Sequence, residues 1–119
     1  MHGRVLDQPV YAADGGDLIY VRDCGRAIAL LQLADRLSYR TYNVAGGRVT
    51  TNAELAAAIE AVIPGAAPAL RDGRDPVGLG RDIYLDISRL REDTGFRPGY
   101  DTPAAVADYV GWLRSGNER

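Results

Sequence analysis

Apolar positions fall into short runs separated by glycine-rich turns, and two periods alternate along the chain. Between Pro9 and Tyr20, Val10 and Tyr11 precede Asp14-Gly15-Gly16-Asp17, and Leu18-Ile19-Tyr20-Val21 follow, which reads as two short extended pieces around a Gly-rich turn. Asp23 is placed as the N-cap of a helix from Cys24 to about Leu37, with Ala27, Leu30, Leu31 and Ala34 on one face. Thr41 to Ala45 has the composition of a strand and Gly46-Gly47 that of a turn. Thr51 with Glu54 forms a capping box opening a second helix, whose inward stripe is Leu55, Ile59, Val62 and Ile63. Pro64-Gly65 ends it, and Ala69-Leu70 begins another short strand before an irregular loop from Arg71 to Asp82.

Ile83-Tyr84-Leu85 reads as a short strand or an extended approach, and Asp86 as the cap of a helix from Ile87 to Thr94. Gly95 takes its C′ position, which lets Phe96 fold back onto Leu90. Thr102 and Pro103 have the N-cap and N1 arrangement of a last helix, with Val106, Tyr109, Val110 and Leu113 inward and Trp112 at the edge of that stripe. The pattern predicts a single α/β domain over residues 1–119, with short strands alternating with about four helices. No solenoid repeat, low-complexity segment or coiled-coil heptad run interrupts it.

With 119 residues, 46% hydrophobic and 25% charged, and a net charge of −2, the chain has an ordinary globular composition. A domain of this size buries about two thirds of its unfolded surface, so it needs neither metal nor disulfide to fold. Cys24 is the one cysteine. No apolar run approaches the roughly 20 residues that span a bilayer, and the first residues lack a signal peptide's apolar stretch, so the expected location is cytoplasmic, without a membrane partner.

All 14 basic residues are arginine. Without lysine there is no Schiff-base chemistry and no P-loop, because guanidinium stays charged and cannot replace the amine. His2 is the one histidine, so Ser38, Ser88 and Ser115 lack a partner for a nucleophilic triad, and one Cys with one His does not make a zinc or iron site. No catalytic residue, cofactor-binding residue or metal ligand is assigned within the chain.

Three segments carry candidate binding chemistry. The Asn43 to Gly47 turn lies between a strand and a helix N-terminus, where backbone amides hold anions, but it lacks the G-x-G-x-x-G spacing and reads as a connecting turn. The Arg71 to Asp82 loop carries Arg71-Asp72, Arg74-Asp75 and Arg81-Asp82: either a self-neutralised solvated loop, or one whose arginines fork onto a diphosphate. Its balanced charge argues against a nucleic-acid partner. Tyr20, Arg22 and Asp23 lie where a strand passes into a helix, the usual place for ligand contacts in open α/β sheets.

Ile19 to Ala27, Tyr42-Asn43-Val44-Ala45-Gly46-Gly47, Tyr84 to Arg89 with Gly95-Phe96-Arg97-Pro98, and Asp108 to Leu113 form an ordered series. It resembles the C-terminal part of the NAD-dependent epimerase/dehydratase family, the extended short-chain dehydrogenases, over about Pro9 to Arg114. The resemblance implies the small substrate-binding C-terminal lobe of a two-domain enzyme that moves hydride between a nucleotide sugar and NAD or NADP. The N-terminal Rossmann domain, with its Gly-rich loop and catalytic Tyr-x-x-x-Lys, is then the missing partner, and the lobe alone is expected to be inactive. It also implies Tyr20 and Arg22 at the substrate cleft and Arg74 or Arg81 on the diphosphate. Gly16 stands where the epimerase branch has a diphosphate-gripping arginine, which points away from a UDP-galactose epimerase specificity. Two further expectations accompany this reading: self-association through the face the Rossmann domain would cover, and, as a competing function, a free-standing non-catalytic module that binds a nucleotide or a partner.

Overall fold

The computed structural model describes residues 8–78 and 82–117. Its elements are β1 (Gly15–Gly16), α1 (Val21–Leu33), β2 (Thr50–Thr51), α2 (Asn52–Val62), α3 (Ser88–Thr94) and α4 (Thr102–Arg114). The expected four helices are present, and the ladder is much smaller than the pattern suggests. β1 and β2 pair antiparallel, Gly15 with Thr51 and Gly16 with Thr50, and one parallel bridge joins Tyr11 to Arg71.

The strand is made by the glycines that the sequence assigns to a turn. At Gly15 a Cβ would lie 2.2 Å from the Thr50 carbonyl oxygen, so only glycine lets the two backbones approach this closely. The extended pieces expected at Thr41–Ala45, Leu18–Tyr20 and Ile83–Leu85 carry no ladder, and that at Ala69–Leu70 reduces to the Arg71 bridge.

Three of the helices start from a different cap residue than the pattern predicts. α1 begins at Val21, with Tyr20 as a cap lacking any side-chain bond, and ends at Leu33 rather than Leu37. Asp23 sits inside the first turn and is 1% exposed. Its carboxylate accepts from Gly99 N at 2.9 Å and Tyr100 N at 3.0 Å, and Arg26 approaches at 3.3 Å. Two distant amides and the positive end of the helix stabilise the charge there. α3 begins one residue later than expected, capped by Ile87, although Asp86 still accepts from Ser88 N. α4 is capped by Asp101, whose side chain accepts from Ala104 N at 2.9 Å, which moves Thr102 into the first turn. The capping box at Thr51 and Glu54 and the left-handed Gly95 at φ 70° are as expected.

Two helix pairs result. α1 packs on α3 around Ala27, Leu90 and Phe96, all 0% exposed, with Leu30, Leu31, Tyr42 and Val44 against them. α2 packs along α4, where Ala58 and Val110 are buried and the Arg114 guanidinium donates to the Val62 carbonyl. Tyr109, expected inward, is 46% exposed and stacks on Trp112 with centroids 6.0 Å apart, because the inward side of this helix is already filled at Val110. The body measures 48 × 40 × 20 Å with a radius of gyration of 16.7 Å, against about 13.5 Å for a compact domain of this length. It is a flattened body rather than a sphere.

Asp23 is the bond between the first helix pair and the segment that launches α4. Asp23→Ala removes the acceptor of two part-buried amides and is expected to cost about 2 kcal/mol, read as a lowered urea midpoint at unchanged slope. A loss below about 0.5 kcal/mol contradicts this assignment.

Candidate functional site

Tyr20 ends the segment leading from β1, and its carbonyl accepts the first helical bond of α1 from Cys24 N at 2.9 Å. That places its ring 4.8 Å from the Tyr100 ring, tilted by 48°, with Tyr100 held by the hydrogen bond its main-chain N–H donates to Asp23. The Tyr20 hydroxyl donates to Asp108 Oδ2 at 2.5 Å, and Arg22 Nε donates to the same oxygen at 2.7 Å. This three-residue clasp joins the start of α1 to the middle of α4.

The clasp borders a cleft of about 610 Å³ between the two helix pairs. Tyr20, Tyr100 and Tyr109 line it, together with Leu18, Ile19, Leu55 and Val106, and two arginines, Arg48 and Arg91, face it. The size lies within the usual range for small-molecule sites, and the composition, apolar and aromatic with a few cations, is of that kind. Arg48 donates to Thr102 Oγ1 at 3.1 Å and lies 3.8 Å from Glu54. Flat aromatic rings beside guanidinium groups are suited to a ligand that pairs a ring system with an anionic group.

The site residues expected from the sequence separate. Tyr20 lines the cleft with its ring while its hydroxyl is committed to Asp108. Arg22 is not among the lining residues, and its guanidinium serves the clasp. Arg74 occupies a second hollow of about 300 Å³ with Asp14, Gly15, Asp75 and Asp82. There it pairs with Asp82 of the same loop at 3.0 Å and with Asp14 at 3.8 Å, rather than with its neighbour Asp75. Arg81 lies outside the described residues. Arg48, Arg91 and Tyr100 carry no motif, and the fold alone brings them to the cleft. The one sequence signal was the position of Arg48 directly after the Gly46-Gly47 turn.

The anion held by the Asn43–Gly47 turn is internal. Asp17 accepts from Gly46 N at 2.7 Å, Gly47 N at 3.0 Å and Leu85 N at 3.1 Å, so the turn is a connection, as the sequence reading has it. Cys24 is half-buried and free. Among the described residues no group of three or more His, Cys, Asp or Glu side chains is arranged to hold a metal ion, and no helix is long and apolar enough to cross a membrane.

Hydrogen bonding from Tyr20, reinforced by Arg22, holds the Asp108 carboxyl below the usual carboxylate range, and burial followed by the bond to Asp108 pushes the Tyr20 hydroxyl up. A depressed carboxylate stabilises the fold above its unfolded pKa and loses that contribution as pH falls through the folded value. A raised phenol stabilises below its unfolded pKa and loses its share as pH rises through the folded one. Asp108→Asn is therefore expected to return Tyr20 toward the ordinary tyrosine range, seen by ultraviolet titration as the difference from Tyr20→Phe, and to flatten the acid side of the stability profile. An unchanged titration would show that the clasp does not form in solution.

Comparison with known proteins gives two relatives of the same description. The chain is 33% identical over 113 residues to a dTDP-glucose 4,6-dehydratase of Actinoplanes sp., covering 92% of this chain and 35% of the relative. It is 31% identical over 117 residues to a dTDP-glucose 4,6-dehydratase of Xanthomonas campestris, covering 87% of this chain and 32% of the relative. Thus the chain spans about a third of the length of the curated relatives it matches. Among solved structures, the fold resembles part of a UDP-glucuronic acid 4-epimerase from Bacillus cereus in complex with NAD (TM-score 0.65, 16% identity, 93% of this chain and 36% of that one). It also resembles part of a dTDP-glucose 4,6-dehydratase from Bacillus anthracis in complex with NAD (TM-score 0.66, 19% identity, 92% and 34%). No family model matches the chain.

Proposed function

We propose that this chain, which fits the NAD-dependent epimerase/dehydratase family as a part-length member, is the lobe that holds the sugar nucleotide while a separate domain supplies NAD and the reacting groups. The observation that carries the reading is the 33% identity to a dTDP-glucose 4,6-dehydratase running along 92% of the chain. It is supported by the cleft, where Tyr20 and Tyr100 offer aromatic surface to a base or sugar ring and Arg48 and Arg91 offer charge to a diphosphate. Arg22 is a positioning residue, since it acts through Asp108 on the Tyr20 ring. Arg74 or Arg81 is the alternative diphosphate contact, from the hollow beside β1.

Hydride transfer from a sugar needs a base and a nicotinamide held in register with it. A chain without lysine cannot contain a Tyr-x-x-x-Lys pair, so the lobe's share of the reaction is binding and orientation. The chain alone is expected to bind dTDP-glucose, followed by Trp112 fluorescence through the Tyr109 stack, and to form no product when NAD is added. Tyr20→Ala or Arg48→Ala should weaken binding about tenfold, the loss of one stacking or charge-assisted contact. A loss confined to Arg74→Ala moves the ligand to the hollow beside β1, and absence of binding by the unmodified chain removes the reading.

The plate-like shape favours a second reading, a non-catalytic partner-binding module. Val21, Ile28 and Leu33 of α1 are 69%, 50% and 81% exposed, an apolar surface of the kind that interfaces cover. Concentration-dependent sedimentation with no nucleotide binding supports that module, whereas a monomer that binds dTDP-glucose excludes it.

A further inference from the structure

Asp17 does not line the cleft, yet two stretches of lining residues hang on its carboxylate. Leu18, Ile19 and Tyr20 follow it directly, and it holds the turn that brings Gly46, Gly47 and Arg48 to the opposite part of the lining. Oδ1 accepts from Gly46 N at 2.7 Å, and Oδ2 accepts from Gly47 N at 3.0 Å and Leu85 N at 3.1 Å. The third bond catches the segment that runs into α3, whose Arg91 also faces the cleft. These donors lie 29, 30 and 68 positions away, and among the described residues no arginine pairs with Asp17. Its charge is spent on the three amides.

Two consecutive glycines are the most flexible backbone a chain has, but this turn has no slack. A Cβ at Gly46 would lie 2.5 Å from the Leu18 carbonyl oxygen and 2.9 Å from Asp17 Oδ1, and one at Gly47, which sits at φ 74°, would lie 2.9 Å from Ile87 Cδ1. Arg48 leaves the turn directly. Its own contacts, Thr102 Oγ1 at 3.1 Å and Glu54 at 3.8 Å, are solvent-exposed and weak in water, so they do not fix the guanidinium unless the turn is already in place. Charge-assisted bonds to main-chain amides are the stronger constraint.

We propose that Asp17 is a positioning residue of the cleft: by holding the Gly46-Gly47 turn it sets the Arg48 guanidinium where the anionic part of a ligand binds. The proposal rests on the reading of the cleft as the sugar-nucleotide site. A carboxylate in direct contact with a diphosphate would repel it, so the action of Asp17 on the ligand passes through Arg48.

The test is Asp17→Asn, alone and combined with Arg48→Ala. The amide has one acceptor oxygen. Turned toward Gly47 and Leu85 it sets its nitrogen against the Gly46 N–H, donor facing donor, and the turn loosens. Asp17→Asn should weaken dTDP-glucose binding about fivefold or more in the unmodified chain and less than about twofold in the Arg48→Ala background, the signature of two residues acting as one unit. A ligand-free readout accompanies it: the proton cross-relaxation peak between the Arg48 side chain and the Thr102 methyl, present in the unmodified chain and lost in Asp17→Asn. If Asp17→Asn does not fold, Gly47→Ala, which pushes the same turn against the Ile87 side chain, is read in both ways instead.

No loss of affinity, or an equal loss in both backgrounds, overturns the proposal, as does a cross-peak that persists in Asp17→Asn or is absent from the unmodified chain. Loss of the cross-peak in a chain that binds no dTDP-glucose refutes the sugar-nucleotide reading and leaves the positioning of Arg48 by Asp17 standing. Binding of dTDP-glucose with the cross-peak untouched by Asp17→Asn does the reverse.

Discussion

The buried Asp23 carboxylate is the bond on which the arrangement of the two helix pairs depends. Only two residue pairs of ladder exist between β1 and β2, too few to fix connections of this length. Side-chain acceptors take over that task. Asp23 reaches across 76 and 77 positions to the amides of Gly99 and Tyr100, and Asp17 collects those of Gly46, Gly47 and Leu85. One short stretch thus anchors three separate loops. The energetic logic is that a carboxylate accepting two or three backbone amides forms stronger bonds than neutral pairs and leaves no buried donor unmet. No buried side-chain polar atom among the described residues lacks a partner.

The cleft is a consequence of that bonding. Tyr100 is placed by its amide, Tyr20 by the start of α1, and Asp108 ties α4 to Tyr20 and Arg22. Arg22 and Asp108 are partly exposed, so their ion pair alone is worth little in water. Its effect is geometric: it fixes which face of the Tyr20 ring is available. The cations that face the cleft, Arg48 and Arg91, arrive from a turn and from the middle of α3, so neither strand end nor loop motif marks them.

Local features were legible in the sequence and distant ones were not. The Thr51–Glu54 capping box, the Gly95 terminator and the return of Phe96 onto Leu90 each depend on residues within about six positions, and all stand in the structure. Asp23 as a cap is the reasonable local reading, and it fails because its partners lie far along the chain. Tyr20, directly before α1, lines the cleft between the helix pairs. The commitment of Arg22 to Asp108, 86 residues away, had no local trace. The Arg74–Asp82 pair stays within its own loop, whereas the approach of Asp14, from before β1, has no local trace either.

Thr41–Ala45 is a different kind of disagreement. Its composition is that of a strand, Tyr42 and Val44 rest on the core, and among the described residues its backbone has no hydrogen-bond partner. Sequence pattern records which faces of an element are meant to be covered, and strand identity is completed only by whatever lies alongside. The same applies to α1, whose Ala27 face is saturated while Val21 and Ile28, seven residues apart on another face, meet solvent. Both elements carry apolar or hydrogen-bonding surface beyond what the plate can satisfy. Physically the two favour the same thing: exposed apolar side chains and unpaired peptide groups are both stabilised when further surface is laid against them.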